Sequence, residues 1–450
     1  MYNYNTNYNI NEKVTLIEIL SSLSHALDIT EGQKRGHSFR TAYLSLLVGK
    51  KLNLTQNDLF DLYCSALLKD AGCSSNASRV YKIFDSDDLQ TKYNFKFINW
   101  SNLFESVKFA LNNTKPNENL FYKISHLIAE TKGDPKLMDE IVEIRCNKGS
   151  EIAISLGFNY NVANAIKFLD EHWDGNGSPY KIKGDKIPLF SRILSISQTF
   201  EVFASNFDLE AAFDIINKRK SKWFDPTLVD IFNSLKNEKE IWDKYHYLLK
   251  NYSIIQIDEE ILQNSAPMET PVSKIAEVFS LIIDAKTPFT YNHSKRVADY
   301  CVLIANSLNF SQDKVNFMYV VGLLHDIGKL GVSNKILEKP GKLTEQEFEL
   351  IKLHPKYSYE ILKNIRTFNY LAEVAGAHHE RIDGKGYYQG LKEEQINEDM
   401  RILAVADVFD ALRSERPYRP AMDLDKVFSI MENDKGLDQK YVNILKSIFL

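Results

Sequence analysis

Residues 292–328 read NHSKRVADYCVLIANSLNFSQDKVNFMYVVGLLHDIG, and residues 36–72 read GHSFRTAYLSLLVGKKLNLTQNDLFDLYCSALLKDAG. The two stretches align without a gap, and the alignment places His37 over His293. Each stretch is followed by a second matching block, in the same order and again without gaps. The second blocks pair residues 145–153 with 354–362, and residues 169–198 with 378–407. Such repetition predicts that one structural unit is duplicated within the chain.

The distance between the copies changes along the chain. It is 256 residues between His37 and His293, but 209 between Arg145 and His354. The first copy therefore carries about 47 extra residues, near residues 74–144. We predict a first domain at residues 11–235, a helical connector at 236–269 and a second domain at 270–450. Two domains agree with a length of 450 residues, which exceeds one ordinary core.

The periodicity of the apolar residues is helical. In the second copy Val297, Cys301 and Ala305 recur at intervals of one helical turn. Thr344 and Glu347 form the capping-box pattern that opens a helix. We find no convincing alternation of the kind that marks a strand. The sequence therefore predicts an all-α fold, a helical domain built twice.

Composition limits the classes of function. The net charge is −5, so the chain lacks the general positive charge that draws proteins to a nucleic acid polymer. The four cysteines have no CxxC spacing, which argues against a disulfide framework and against a thiolate zinc site. There is neither a signal-peptide pattern at the N-terminus nor an apolar run long enough to span a membrane. We expect a cytoplasmic protein that does not bind a membrane.

Potential metal ligands are concentrated in the second copy. Imidazole and carboxylate groups together suit borderline divalent metals such as iron, manganese or zinc, and this set is too large for one ion. Two ions would activate a water and stabilise phosphoryl displacement. Lys329 lies three residues after Asp326, where it could hold a phosphate oxygen beside the metals. The candidate ligands are His293, His325, Asp326, His354, His378, His379 and Asp407.

For each of these residues a purely structural role is the alternative to metal binding. A single histidine such as His354 is more often structural than a ligand. The doublets change that balance, because His-Asp is followed by Ile-Gly-Lys at 327–329 and His-His-Glu is followed by Asp-Gly-Lys-Gly at 383–386. Each doublet alone is a weak signal. Their joint occurrence in this order favours a metal site.

These motifs resemble the HD-GYP subgroup of the HD-domain metal-dependent phosphohydrolases. The resemblance covers nearly all of the second copy. It implies two tandem helical HD-type domains and a hydrolase of cyclic dinucleotides, either cyclic di-GMP or the mixed guanine–adenine compound, with a pair of iron or manganese ions. The motifs that carry it are NHSKRVA, LLHDIGKLGV, ILEKPGKLTEQEFELIKLHP, HHERIDGKGYY and RILAVADVFDALRSERPYR.

The resemblance also implies roles for individual residues. Asp326 would bridge two ions and act in catalysis together with Lys329. Glu380 would orient the ligand histidines from behind. One ion would be held by His293, His325, Asp326 and Asp407, and the other by Asp326, His354, His378 and His379. The phosphates would be held by Lys329, Arg416 and Arg419, although without the family the two arginines are equally well read as a solvated helix end.

The sequence departs from the family pattern in two places. Tyr388 stands where the Gly-Tyr-Pro signature has proline, which bears on the choice of dinucleotide more than on hydrolysis. Some members bind a third metal through a glutamate shortly before the first histidine, but residues 287–290 read TPFT. We therefore expect two metals.

Most ligand positions are lost in the first copy. His37 and Asp70 persist, but the other positions are occupied by Lys69, Arg145, Leu169, Asp170 and Gln198. Lys69 and Arg145 could neutralise the remaining acid, which would make this domain a salt-bridged relic that scaffolds or regulates the second. A retained anion-binding pocket is the alternative.

The sequence thus predicts a metal-dependent phosphodiesterase that cuts a cyclic dinucleotide to a linear product. One alternative is a nucleotide phosphomonoesterase of the wider HD superfamily. The other is a cyclic-dinucleotide receptor or scaffold whose metals are structural. The connector helix offers a surface through which a homodimer could form.

Overall fold

The protein is helical throughout the part that its computed structural model describes, which is residues 8, 16–100, 102–134, 136–251, 271–415 and 420–450. Within those residues there is no β-strand, apart from one isolated bridge between Lys220 and Phe224. The described residues form two compact units, one within Thr15–Pro267 and one within Met268–Leu450, and Tyr8 belongs to the second unit. The prediction of an all-α chain in two helical parts is confirmed.

The first unit contains thirteen helices among its described residues. They are α1 (Leu16–Thr30), α2 (His37–Lys51), α3 (Gln56–Leu68), α4 (Ala77–Phe84), α5 (Asp88–Phe95), α6 (Leu103–Asn113), α7 (Leu120–Thr131), α8 (Leu137–Ser155), α9 (Tyr160–Lys167), α10 (Leu189–Asn206), α11 (Leu209–Lys218), α12 (Pro226–Leu235) and α13 (Lys239–Lys250). Helices α4 to α7 occupy the stretch of extra residues. They contribute to a small core of their own, where Val80, Phe84 and Phe109 pack against Leu137 and Ile141.

The second unit repeats the plan without that insertion. Its Thr344–Glu347 capping box forms as the sequence predicts. The helices are α14 (Val272–Asp284), α15 (His293–Ser307), α16 (Gln312–Leu324), α17 (Asn334–Leu337), α18 (Glu345–Ile351), α19 (His354–Leu362), α20 (Asn369–Gly376), α21 (Glu398–Arg413), α22 (Leu424–Asn433) and α23 (Gln439–Phe449). None of the described helices in either unit is sufficiently long and apolar to cross a membrane.

The two units place the first histidine of each copy by the same buried contact. Asp284 at the end of α14 accepts hydrogen bonds from the backbone amide and the hydroxyl of Ser294, one residue after His293. In the first unit Asp28 accepts the corresponding bonds from Ser38. Burial raises the pKa of Asp284 to about 6, because its charge is partly desolvated. Each aspartate therefore fixes where the next helix begins.

Helix α13 belongs to the core of the first unit, although the sequence places it in the connector. Its Trp242, Tyr245 and Leu248 are buried, and the hydroxyl of Tyr43 on α2 donates to the carbonyl of Ile241. Its apolar face is thus used within the unit, which argues against α13 as a dimer surface. The rest of the connector, at 252–269, lies outside the described residues.

Gly72 and Gly328 let the turns after α3 and α16 pack closely against α8 and α19. A Cβ at Gly328 would lie 2.0 Å from the carbonyl oxygen of His354, and one at Gly72 would lie 1.9 Å from that of Arg145. Only glycine, which has no Cβ, fits at such distances. The backbone of residue 354 is therefore packed directly on the turn that follows Asp326.

We expect Gly328→Ala to destabilise the second unit by about 2 kcal/mol, because the added methyl group overlaps the backbone of α19. This corresponds to a fall in Tm of about 4–8 °C, measured by thermal denaturation of the whole chain. Gly341→Ala is the matched control, since a Cβ there meets nothing within 4 Å. Equal Tm values for the two variants would contradict the packing described.

Candidate metal centre

Asp326 lies at the centre of the candidate ligands, in the turn after α16. Its Oδ2 is 3.3 Å from Nε2 of His293 and 3.3 Å from Nε2 of His325. Its Oδ1 is 3.3 Å from Nε2 of His354 and 3.5 Å from Nε2 of His378. One carboxylate thus presents each of its two oxygens to a different pair of histidines.

The first group of ligands comes from α15, the end of α16 and α21. Asp407 Oδ1 lies 3.4 Å from Nε2 of His293 and 3.9 Å from Nε2 of His325. Donor atoms of these three residues all lie within 4.8 Å of one another, and all three side chains are buried. This spacing suits a single cation placed among them.

The second group comes from the start of α19 and the residues after α20. Donor atoms of His354, His378 and His379 also lie within 4.8 Å of one another. The Nε2 atoms of His354 and His378 are 3.1 Å apart. His379 Nδ1 is 3.9 Å from Oδ2 of Asp407, so Asp407 also faces both groups.

The histidines are oriented by hydrogen bonds on their outer nitrogens. Nδ1 of His325 donates to the carbonyl of Gly322 at 2.7 Å. Nδ1 of His354 and of His378 donate in the same way to carbonyls of the preceding turns, each at 2.6 Å. Because a carbonyl only accepts, each Nδ1 carries the proton. The lone pair of each Nε2 is therefore directed at the centre.

His293 is oriented by a carboxylate that the sequence reasoning missed. Its Nδ1 lies 2.7 Å from Oδ2 of Asp410, and Arg296 Nε donates to the other oxygen of Asp410 at 2.6 Å. The signal was present in the repeat, because Glu201 occupies the aligned position and contacts both His37 and Arg40. In each copy one acid contacts both the first histidine and an arginine three residues later. This repetition identifies the acid as a partner of the histidine.

Asp326, His378 and His379 have the charge states that a cation site requires. Burial lowers the pKa of His378 to about 4 and that of His379 well below its usual value, so both rings are neutral at pH 7. Burial raises the pKa of Asp326, but Lys329 and His325 outweigh it and hold that pKa well below the ordinary range. For His293, burial lowers the pKa, but the nearby carboxylates of Asp326, Asp407 and Asp410 outweigh it and raise the pKa to about 10.

Three polar atoms at the centre have no hydrogen-bond partner, although they are buried. They are Nε2 of His293, Nε2 of His325 and Oδ1 of Asp326. Buried polar groups without a partner are costly, and here three of them converge. Divalent cations take this combination of nitrogen and oxygen donors. The residues therefore fit metal ions.

The predicted phosphate-binding residues are only partly described. Lys329 Nζ contacts Oδ2 of Asp326, and its side chain is 16% exposed, which leaves the ammonium reachable from solvent. Arg416 and Arg419 lie outside the described residues.

Glu380 does not orient the ligand histidines, and that part of the prediction is wrong. Its Oε1 accepts from the amides of Gln389 and Gly390, and its Oε2 accepts from the amide of Leu391. Glu171 holds the matching loop of the first unit through the amides at residues 180 and 182. The carboxylate shapes the glycine loop beside the centre.

Tyr388, the altered third position of the Gly-Tyr-Pro signature, lies in that loop together with Gly386 and Tyr387. The ring of Tyr387 packs on the ring of His379, with centroids 4.7 Å apart. Residue 386, just before Tyr387, has to be glycine, because a Cβ there would lie 2.4 Å from Cα of Glu380. The loop therefore places an aromatic wall directly against a candidate ligand.

The first unit neutralises its own remaining acids. Lys69 contacts Asp70, and Arg145 contacts Asp170. Glu31, Asp70 and Cys73 approach one another closely enough for a metal, but Lys96 Nζ is 2.9 Å from Glu31. Burial raises the pKa of the Cys73 thiol well above its usual value, so the thiol stays protonated. These residues are a poor metal site.

Comparison with known proteins agrees with this geometry. The model of the HD domain matches residues 119–228 and 277–441, which is more than half of the chain. The chain belongs to the HD-domain family. The matches place it with the HD-GYP type, and HD-domain phosphodiesterases are metal-dependent.

Several members of the HD-domain family are similar over long stretches. The 3'3'-cGAMP-specific phosphodiesterase 3 of Vibrio cholerae is 40% identical over 93% of this chain and 91% of its own length. The cyclic di-GMP phosphodiesterase of Thermotoga maritima is 38% identical over 36% of this chain and 45% of its own. The crystal structure of a cyclic GMP-AMP specific phosphodiesterase of V. cholerae matches 96% of this chain and 97% of its own, with 35% identity and a TM-score of 0.65.

We expect Asp410→Asn to weaken metal binding by about 10- to 100-fold, because the amide holds the ring of His293 less firmly than the carboxylate. Titration of metal-free protein with Mn²⁺, followed by calorimetry, measures the change. Asp425→Asn, an exposed carboxylate at the start of α22, should bind Mn²⁺ as the unaltered chain does. Unchanged affinity in Asp410→Asn would rule out this role.

Proposed function

We propose that this protein is a metal-dependent phosphodiesterase that hydrolyses a cyclic dinucleotide, with the mixed 3',3'-cyclic GMP-AMP as its preferred substrate. The observation that carries the proposal is the position of Asp326, whose two oxygens face two separate pairs of buried histidines. A carboxylate in this position is suited to lie between two cations. A site for one structural ion needs no such carboxylate.

We propose two divalent ions, iron or manganese, with the ligand sets that the family resemblance implies. His293, His325, Asp326 and Asp407 would hold one ion; Asp326, His354, His378 and His379 would hold the other. When bound, such a pair supplies Lewis acidity and an activated water for attack on a phosphodiester. The protein's part is to hold the ligand imidazoles and the ionised carboxylates in place before the substrate arrives.

Lys329 is the cation that we assign to the substrate. Its ammonium contacts Asp326 and is partly exposed, so it can exchange this contact for a phosphate oxygen. A positive charge at that point would stabilise the negative charge that builds up on the phosphate during displacement. Arg416 and Arg419 remain predicted phosphate-binding residues.

The substrate class is supported by the relatives. Cyclic dinucleotides appear in the names of the phosphodiesterases of V. cholerae and T. maritima. The mixed compound is named for the V. cholerae relative whose match spans nearly the whole of both chains, including the first unit. This length of match favours the mixed compound over cyclic di-GMP.

We expect anaerobically prepared protein loaded with Mn²⁺ or Fe²⁺ to hydrolyse 3',3'-cyclic GMP-AMP, and to do so faster than cyclic di-GMP. The products are separated by chromatography. The His325→Ala/Asp326→Ala double variant should lose turnover, and metal analysis of the anaerobic protein reports which ion it retains. Tight binding without turnover by metal-replete protein would instead indicate a receptor. Cleavage only of nucleoside monophosphates would indicate a phosphomonoesterase.

We expect Lys329→Gln to lower kcat/KM by about 10²-fold, because a charge is lost where negative charge develops. Steady-state kinetics on the Mn²⁺-loaded protein measure the change. Lys385→Gln is the control, since the side chain of Lys385 is 84% exposed. If both variants kept normal kcat/KM, Lys329 would have no part in catalysis.

We propose that the first unit scaffolds or regulates the second. The domain limits of 11–235, 236–269 and 270–450 stay predictions, and the packing of α13 on the first unit favours a first domain that extends beyond residue 235. The homodimer also stays a prediction. A reducing cytoplasm would suit Cys64, Cys73, Cys146 and Cys301, which are all free and buried.

A further inference from the structure

The first unit contains a cavity of about 370 Å³ at the position of its lost metal centre. Arg145, Leu169, Asp170 and Gln198, which line it, are the residues aligned with four of the candidate ligands of the second unit. The inserted helices α4 and α5, together with α8, supply much of the remaining wall. The positions that lack metal ligands in the first unit thus line an enclosed cavity.

We infer that this cavity is a binding site for a single purine nucleotide. Three properties of its lining lead to this conclusion: the rings of its walls, two buried amide oxygens without partners, and an excess of positive charge. Each property corresponds to one part of the ligand, namely the base, the amino or ring N–H groups, and the phosphate.

The walls are aromatic. Phe84, Phe95, Trp100 and Trp223 line the cavity, and apolar surface predominates. The indole of Trp223 packs on the ring of His172, with centroids 4.1 Å apart, and the guanidinium of Arg219 lies 3.7 Å from the indole centroid. Aromatic walls of this kind suit the planar heterocycle of a base.

Two amide side chains at the cavity are buried and unsatisfied. Gln198 is 9% exposed and Asn76 is 7% exposed, yet neither Oε1 of Gln198 nor Oδ1 of Asn76 has a hydrogen-bond partner. Both are acceptors that can accept from an N–H or an O–H donor. The amino and ring N–H groups of a purine supply such donors, which a fatty acid or another apolar anion would lack.

The charges of the lining leave one cation in excess. Lys92, Lys96, Arg145 and Lys181 face the cavity, against Glu31, Asp139 and Asp170. His172 adds no charge at pH 7, since burial lowers its pKa to about 4. Lys92 is 7% exposed and Arg145 is 14% exposed, and both lie within 4.0 Å of Glu31. A phosphate would share these enclosed cations with that carboxylate.

Size and charge together favour one nucleotide over a cyclic dinucleotide. The volume lies near the lower end of the range for small-molecule sites, about 300–1,000 Å³. A single excess positive charge matches one phosphate group better than two. A nucleoside monophosphate and a cyclic mononucleotide both have this chemistry.

Calorimetric titration of the full-length, metal-free chain tests the inference. The probes are AMP, GMP, cyclic AMP and cyclic GMP, with inorganic phosphate as the control for charge alone. We expect micromolar binding of at least one purine nucleotide at one site per chain, and none of phosphate. The monophosphates and the cyclic nucleotides distinguish the two sources of the ligand. Absence of binding by all four nucleotides would overturn the inference.

Variants locate the site. Val142→Trp places an indole in the cavity and should abolish binding, whereas Ile144→Trp, on the same helix but 45% exposed, should bind normally. Lys329→Gln should also bind normally, because it alters only the second unit. Binding that survives in Val142→Trp, or is lost in Lys329→Gln, would overturn the assignment.

Gln198→Leu provides a test that does not depend on the folding of Val142→Trp. It removes a buried group that has no partner, so the ligand-free protein should keep its Tm or gain about 2 °C. Nucleotide binding should weaken about tenfold, because one hydrogen bond is lost. Unchanged affinity in this variant would show that Gln198 faces no ligand and would overturn the inference.

Discussion

The second unit depends on one buried carboxylate, whose negative charge has to be balanced by its neighbours. Asp326 is almost fully enclosed, and an isolated charge in such a place would be very costly. Four imidazoles and an ammonium surround it, each supplied by the beginning or end of a helix or by the turn that follows one. The helices therefore have to end where they do, because only their ends bring ring nitrogens to a single point. The core apolar residues of α15, α16 and α21 hold these ends in register.

The first unit solves the same electrostatic problem with different chemistry. Asp70 is equally buried, but Lys69 supplies the compensating charge from within the chain. The outer partners survive: Glu201 still contacts His37 and Arg40, as Asp410 contacts His293 and Arg296. The candidate ligand positions thus differ between the two copies, whereas the supporting contacts are the same. The sequence prediction of a salt-bridged domain describes these acids, but the cavity beside them was visible only in three dimensions.

The sequence predicted the helical fold, the duplication and the residues of the centre because repeats and motif spacing are local properties of a chain. It did not predict the outer hydrogen bonds. Asp410 reaches His293 across 117 residues of sequence, and only the packing of α15 on α21 brings the two together. Glu380 was misassigned for a related reason. The family resemblance implied a role in orienting ligands, whereas its carboxylate accepts hydrogen bonds from the amides of the loop.

The contact between Gly328 and the carbonyl of His354 separates architecture from chemistry. It joins two segments of the main chain. The equivalent contact at Gly72 is present in the first unit, although residue 145 there is arginine and not histidine. The side chain at that position can therefore change without moving the frame that carries it. Such a frame lets evolution exchange reactive groups at constant geometry, so a spent catalytic copy can be kept and given another task instead of being discarded.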